Sequence, residues 1–318
     1  MPQSLPEGTV FLRRRETAHG PGAARLASQF VFLLLLAIPS VAAISRTEVV
    51  VVPVANMFAA PNENAAVVSQ AIYASNVSLL ASRGEWSKIQ TRDDHYRGWT
   101  RSRYLRIVLT GTGYATAGQT VQVESLFANI YREPDVTRHK PVLTIPFESH
   151  LEVIQAGSGK DDGWLQVRLP DLKPAWIQRS DVVSDPQPLT IAESISLAKR
   201  FLGLPYLWGG RSSFGFDCSG FTQMLVRARG IDMPRDADQQ AAWKEMTPVD
   251  RKELEPGDLL FFGSAPNAIT HTGMYIGDGD FIQATTNGQP VVQIGHLEDQ
   301  PWTRLLVACR RVRVPLHP

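Results

Sequence analysis

Cysteine is scarce in this chain: Cys218 and Cys309 are the only two among 318 residues. One disulfide is arithmetically available, but a disulfide-built framework is excluded. An excess of charge of one sign is also missing. Lysine plus arginine (32) and aspartate plus glutamate (31) leave a formal +1. Without a broad basic field, nucleic acid is not an expected partner. His95, His139, His150, His271, His296 and His317 show no metal-ligand spacing, so neither a metal nor another cofactor is expected. The 43% apolar content is that of an ordinary globular chain, and the length admits two or three domains.

The long uncharged stretch lies near the N-terminus. Arg13, Arg14, Arg15 and Arg25 precede Leu26 to Ser45, which contains FVFLLLLAIP and then the small residues Val41-Ala42-Ala43. That order matches an export leader, assigned here to residues 1–47. About 20 uncharged residues also suffice for a retained membrane anchor. Either reading makes the rest an exported protein, periplasmic or otherwise associated with the cell envelope, if not secreted.

Two stretches of short, alternating, β-branched segments follow, over residues 48–110 and 117–184. They read as a degenerate repeat. Asn56-Met57-Phe58 is echoed by Asn129-Ile130-Tyr131, Trp86 by Trp164, and Trp99 by Trp176. Copies of roughly 60 residues are marginal as lone domains. A hairpin is therefore expected to bring each tryptophan pair onto one small core, as packing residues rather than ligand contacts. The segment SDPQP, from Ser184 to Pro188, forms a stiff linker.

The last domain is assigned to residues 189–314. IAESISLAKRFLG has helical periodicity and stops at Gly203 and Pro205. In FGFDCSGF, Asp217 is a candidate N-cap that places Cys218 on the first turn of a helix. Phe221, Met224, Leu225 and Ala228 form its apolar face, and Gly230 ends it. Free N–H groups and the helix dipole there favour a thiolate and can hold an oxyanion. Cys309, in the apolar run LLVACRRVRV, reads as a packed strand residue. HTGMYIGDGDFIQATT reads as a hairpin turning at Gly277 to Asp280. His271, Gly273 and Tyr275 share one face, and Phe281, Gln283 and Thr285 alternate on the return strand. If those faces coincide, Gln283 accepts from the imidazole and fixes its tautomer without adding charge.

DCSGF, PGDLLFF and HTGMYIGDGDFI, in this order and with about 50 residues between Cys218 and His271, resemble the NlpC/P60 family of papain-like cysteine peptidases. The two upstream repeats resemble bacterial SH3-like modules. The resemblance implies an α+β papain-like catalytic domain preceded by two small all-β SH3-like barrels. It also implies a substrate among peptidoglycan or muropeptide stem peptides, cut between γ-D-glutamate and a diamino acid. By resemblance, Cys218 is the nucleophile, His271 the base, and Gln283 the third polar position, where many members have a second histidine. Tyr206 matches a tyrosine that can donate to the oxyanion. Asp217, Ser219 and Arg235 fall at substrate-binding positions, with Arg235 free to pair with a substrate carboxylate or with Asp236 and Asp238. Relatives that trim free stem peptides carry an acidic residue near the position of Ser75, where this chain is uncharged. Glu85 and Glu148 are candidates to compensate; if neither does, a free N-terminus is demanded less strictly. Two other readings remain: a different thiol-dependent amidase or acyltransferase on the same fold, or a silent wall-binding protein.

Overall fold

The computed structural model describes residues 46–108 and 112–313. The leader or anchor assigned to 1–47 lies outside the described residues except for Arg46 and Thr47, which already belong to the first strand. Among the described residues, no helix is long and apolar enough to cross a membrane.

Module 1 is a seven-stranded sheet of β1 (Arg46–Val50), β2 (Val54–Phe58), β3 (Val67–Ile72), β4 (Asn76–Arg83), β5 (Trp86–Thr91), β6 (Arg97–Arg101) and β7 (Leu105–Ile107). The strand order is β3-β2-β6-β5-β4-β1-β7, every pairing antiparallel. Module 2 comprises β8 (Thr120–Val123), β9 (Phe127–Tyr131), β10 (Leu143–Pro146), β11 (His150–Ala156), β12 (Trp164–Arg168), β13 (Pro174–Gln178) and β14 (Val182–Val183). Its order, β10-β9-β13-β12-β11-β8-β14, repeats that of module 1 strand for strand.

The repeated residues occupy matching places, but not the expected core. Ile89 and Met57 point inward with Val50, Ala55 and Val77. Trp86 is three residues from Ile89, an odd step in a period-two strand, and so faces the other way. Trp99 pairs with Lys88 and Phe58 on that same outer face. There Phe58 meets Trp86 edge-on at 5.5 Å and the Arg101 guanidinium covers the indole at 4.4 Å. Tyr131 and Trp164 repeat the contact at 5.4 Å in module 2. The tryptophans pack, but on an outer aromatic cluster instead of in the inner core of each sheet.

The last domain contains α1 (Ile191–Arg200), a ribbon of β15 (Arg211–Ser212) and β16 (Gly215–Phe216), α2 (Cys218–Arg227) and α3 (Ala237–Ala241). Then come β17 (Met246–Pro248), β18 (Leu259–Gly263), β19 (Ile269–Gly277), β20 (Asp280–Thr285), β21 (Val291–His296), α4 (Trp302–Leu305) and β22 (Leu306–Val312). The sheet order is β17-β22-β18-β19-β20-β21. Both faces are covered, which is why LLFF reads as an unbroken apolar run. Leu259 and Phe261 enter the cluster under α2, while Leu260 and Phe262 enter a second one with Phe281, Trp302 and Cys309.

Thr190 and Glu193 form a reciprocal capping box that starts α1. Asp217 caps α2 by accepting from the Gly220 N–H at 2.7 Å. One apolar face was expected on α2; instead every residue from Cys218 to Val226 is buried. The helix packs on the sheet through its apolar stripe, and its polar side also meets module 1, where Gln223 Nε2 donates to Asp94 at 2.9 Å.

Cores cross the module boundaries. Phe147 of module 2 lies in the cluster of the last domain, 5.6 Å from Phe201 ring to ring. Val49 and Tyr73 of module 1 lie in the cluster of module 2.

Candidate active site

The start of α2 is pressed against the loop before it. A Cβ on Gly220 would come within 2.1 Å of the Gly210 carbonyl oxygen, so the glycine of DCSG is needed for this close approach. Cys218 is thereby held on the first turn, only 8% exposed. The backbone N–H groups of Thr272 and Ser219 lie near enough to its sulfur to favour the thiolate. Thr272 directly follows His271 on β19, so the thiol sits against the segment that carries the imidazole.

His271 and Gln283 meet across the β19–β20 hairpin, with Nε2 2.6 Å from Oε1. They are not directly opposed. Met274 pairs with Ile282 and Tyr275 with Phe281, so the continued register sets Gln283 opposite Gly273, diagonal to His271. Long side chains span such diagonals. A Cβ on Gly273 would sit 2.8 Å from the Phe281 ring and 3.3 Å from the Gln283 Cβ, so the glycine leaves Gln283 room. Because the amide oxygen can only accept, His271 Nε2 carries the proton and Nδ1 is the free acceptor.

Burial is the largest influence on both reactive groups. It pushes the Cys218 thiol up to about 12, with Asp217 adding to the effect. The N–H groups of Thr272 and Ser219 and the charge of Arg235 oppose it. The thiolate preference expected from the helix start is present as a force and is outweighed. Burial likewise brings His271 down to about 4, against the hydrogen bond to Gln283 and the charge of Asp217. Burial thus favours the neutral form of each group, thiol and imidazole.

Asp217, Ser219 and Arg235 come together as one buried cluster. Arg235 donates to Asp217 Oδ2 at 2.6 Å and Oδ1 at 2.9 Å, to Ser219 Oγ at 2.8 Å and to the Gly210 carbonyl at 3.2 Å. Asp217 also accepts from the Gly209 N–H at 3.0 Å. Arg235 therefore pairs with Asp217, not with Asp236 or Asp238, because it points inward beneath α2. Asp236 instead accepts from the Tyr96 hydroxyl of module 1 at 3.2 Å. The half-buried Tyr206 has its hydroxyl pushed up by burial and by the nearby Cys218 and Asp217.

Ser75 is not at this site. It lines a cavity of about 790 Å³ at the junction of both modules and α1, whose walls include none of Cys218, His271, Gln283 or Tyr206. Glu148 lines the same cavity and is tied to Arg227 at 2.5 Å. Glu85 pairs with Arg101 at 2.9 Å beside the outer aromatic cluster. Neither candidate supplies a free charge at Cys218. Three relationships had no signal in the motifs: the Tyr96–Asp236 bond, the stacking of Trp302 on His271, and the enclosure of Arg211 by Asp93 and Asp94 of module 1.

Residues 203–311 match the NlpC/P60 family, and residues 57–105 match the bacterial dipeptidyl-peptidase Sh3 domain. A gamma-D-glutamyl-L-lysine dipeptidyl-peptidase of Bacillus cereus is 31% identical over 232 residues, covering 68% of this chain and 66% of that protein. The protein of the same name from Bacillus subtilis is 31% identical over 255 residues, covering 77% and 81%. The chain thus spans just under two thirds of the first relative and about four fifths of the second. The crystal structure of an NlpC/P60 family protein from Bacillus cereus superposes with a TM-score of 0.73 at 25% identity, covering 84% of this chain and 100% of that one.

Proposed function

This chain belongs to the NlpC/P60 family, and on that premise we propose that it is a thiol endopeptidase opening the amide between γ-D-glutamate and the following diamino acid in peptidoglycan stem peptides. The observation that carries this reading is a Cys218 on the first turn of α2 together with a His271 whose tautomer is set by Gln283. A neutral imidazole with a free Nδ1 is ready to take the thiol proton as sulfur attacks the γ-glutamyl carbonyl. Among the described residues nothing accepts the Cys218 N–H, which leaves it for the oxyanion, with the Tyr206 hydroxyl as second donor. Protonated His271 then gives its proton to the departing amine. Water activated by the same imidazole releases the acyl group from Cys218. Burial of both partners favours this neutral starting pair, since a separated charge would cost most in a dry site.

Asp217 and Arg235 act in this scheme from below, by fixing the start of α2 and balancing each other's charge; Ser219 joins them. The role of the acidic residue that relatives carry near the position of Ser75 is assigned here to Asp236 with Tyr96, where module 1 meets the last domain. That pair would receive the free amine of the stem peptide's first residue. The repeated strand order supports reading module 2 as a second SH3-like barrel. The charge order of the N-terminal segment supports export to the cell envelope.

The test is mass spectrometry of L-Ala-γ-D-Glu-L-Lys, its diaminopimelate counterpart and N-acetylated versions after incubation with the protein. Release of the diamino acid by wild type, absent with Cys218→Ala, is expected. Full hydrolysis by Cys218→Ala would sink the reading. Equal cutting of acetylated and free peptides would remove the amine role of Asp236.

A further inference from the structure

An indole from outside every motif used so far lies flat on the imidazole of His271. Trp302 opens α4, and its ring centroid stands 5.1 Å from that of His271 with the planes 26° apart. The indole is fixed in turn, edge-on to Phe262 at 5.1 Å and to Phe281 at 5.5 Å. Phe262 also lies 5.7 Å from the His271 ring, tilted by 44°. Trp302 is 6% exposed and Gln283 1%.

We propose that Trp302 is the positioning residue for His271: its face sets the imidazole plane and favours the imidazolium formed during the reaction. The proposal rests on the reading of His271 as the base.

Each part follows from the geometry. A histidine χ2 is broad, and one hydrogen bond at Nε2 leaves the ring free to swing about that bond. A flat aromatic neighbour removes the swing and holds Nδ1 in one direction. The imidazolium is disfavoured by burial, while Asp217 is the charged group whose field favours it. Arg235 is spent on Asp217, and the Cys218 thiol is neutral at rest. The negative face of an indole attracts a cation and so works with Asp217 against burial. A leucine at 302 would fill volume without that face; a phenylalanine would keep part of it.

Trp302→Leu and Trp302→Phe are compared with wild type by kcat and KM on the tripeptide, and by NMR titration of the His271 ring with labelled histidine. For Trp302→Leu, kcat is expected to fall about tenfold with KM within about twofold. Its His271 midpoint is expected to drop by about half a pH unit to one unit. Trp302→Phe should recover most of both, and thermal unfolding confirms that each variant is folded. A Trp302→Leu protein with wild-type kcat and midpoint overturns the proposal. So does a Trp302→Phe protein that loses as much as the leucine variant with its midpoint unmoved, since Trp302 would then be only a filler. His271→Ala separates the two ideas. Its retained activity would remove the base role, while the ring titration would still judge the stacking.

Discussion

Arg235 closes on Asp217 beneath the first turn of α2, two nitrogens on two oxygens at 2.6 and 2.9 Å, with Arg235 all but inaccessible at 2% exposure. Removing one partner of such a pair leaves the other charge buried and uncompensated. Arg235→Gln is expected to cost about 3–5 kcal/mol of stability, read by urea unfolding. Arg235 also helps hold the Cys218 thiol down, so alkylation of Cys218 by iodoacetamide should slow at fixed pH. An unchanged unfolding midpoint and alkylation rate would mean that the cluster carries neither load.

Gln283 orients His271 without titrating. Gln283→Ala leaves the buried Nε2–H of His271 unpaired, a loss of about 1–3 kcal/mol. If that loss falls on the transition state, it corresponds to a kcat lower by roughly 5- to 150-fold with little change in KM. Gln283→His restores an acceptor that is itself protonated in acid, so activity should return at neutral pH with an added acid limb in the pH–rate profile. A flat profile for Gln283→His would argue that the position is not coupled to the base.

Acid should unfold this protein partly through His271. The unfolded chain binds that proton at an ordinary 6.5 and the folded one only at about 4, chiefly because of burial. The stabilisation is complete above about pH 6.5 and is lost as pH falls through 4, up to roughly 3 kcal/mol. His150, also depressed by burial, acts in the same direction. Urea unfolding at pH 7.5, 5.5 and 4 should show the fall, and His271→Gln should flatten it. An equal slope in that variant would assign the acid sensitivity elsewhere.

Module 1 is expected to be inseparable from the catalytic domain. Arg211 is enclosed, its guanidinium on Asp93 and 3.5 Å from Asp94. Asp94 also accepts from Gln223 of α2 at 2.9 Å. Deleting residues 46–108 strips Arg211 of its counter-ions, and the remainder should aggregate or fail to fold. Asp94→Asn is the milder test: calorimetry should show one cooperative transition at lower temperature. Two separate transitions in wild type would refute the coupling.

What the sequence made legible was local. The turn before Cys218, the helix after it, the His271 hairpin and the twofold β repeat are each written within about 15 consecutive residues, where period and turn chemistry operate. The face of the tryptophans was also available: Trp86 and Ile89 differ by an odd number in one strand, and parity alone sends them to opposite sides. Long-range pairings left no such trace. Arg211 finds Asp93 across 118 residues, and Trp302 reaches His271 over the sheet face that carries Phe262 and Phe281. Ser75 was placed at the cleft by analogy of position; the structure sets it on the cavity between the modules, and it is Tyr96 that bonds to Asp236 of the last domain.

Phe147 sits in the core of the catalytic domain, and Val49 and Tyr73 sit in that of module 2. The three parts are therefore poor candidates for exchange by recombination at their linkers. A cut at the SDPQP segment would separate side chains that must match in volume on both sides of it. A chimera carrying a foreign module 2 would inherit a hole or a clash where Phe147 meets Phe201, so an exchange there would need matching changes on both sides of the linker.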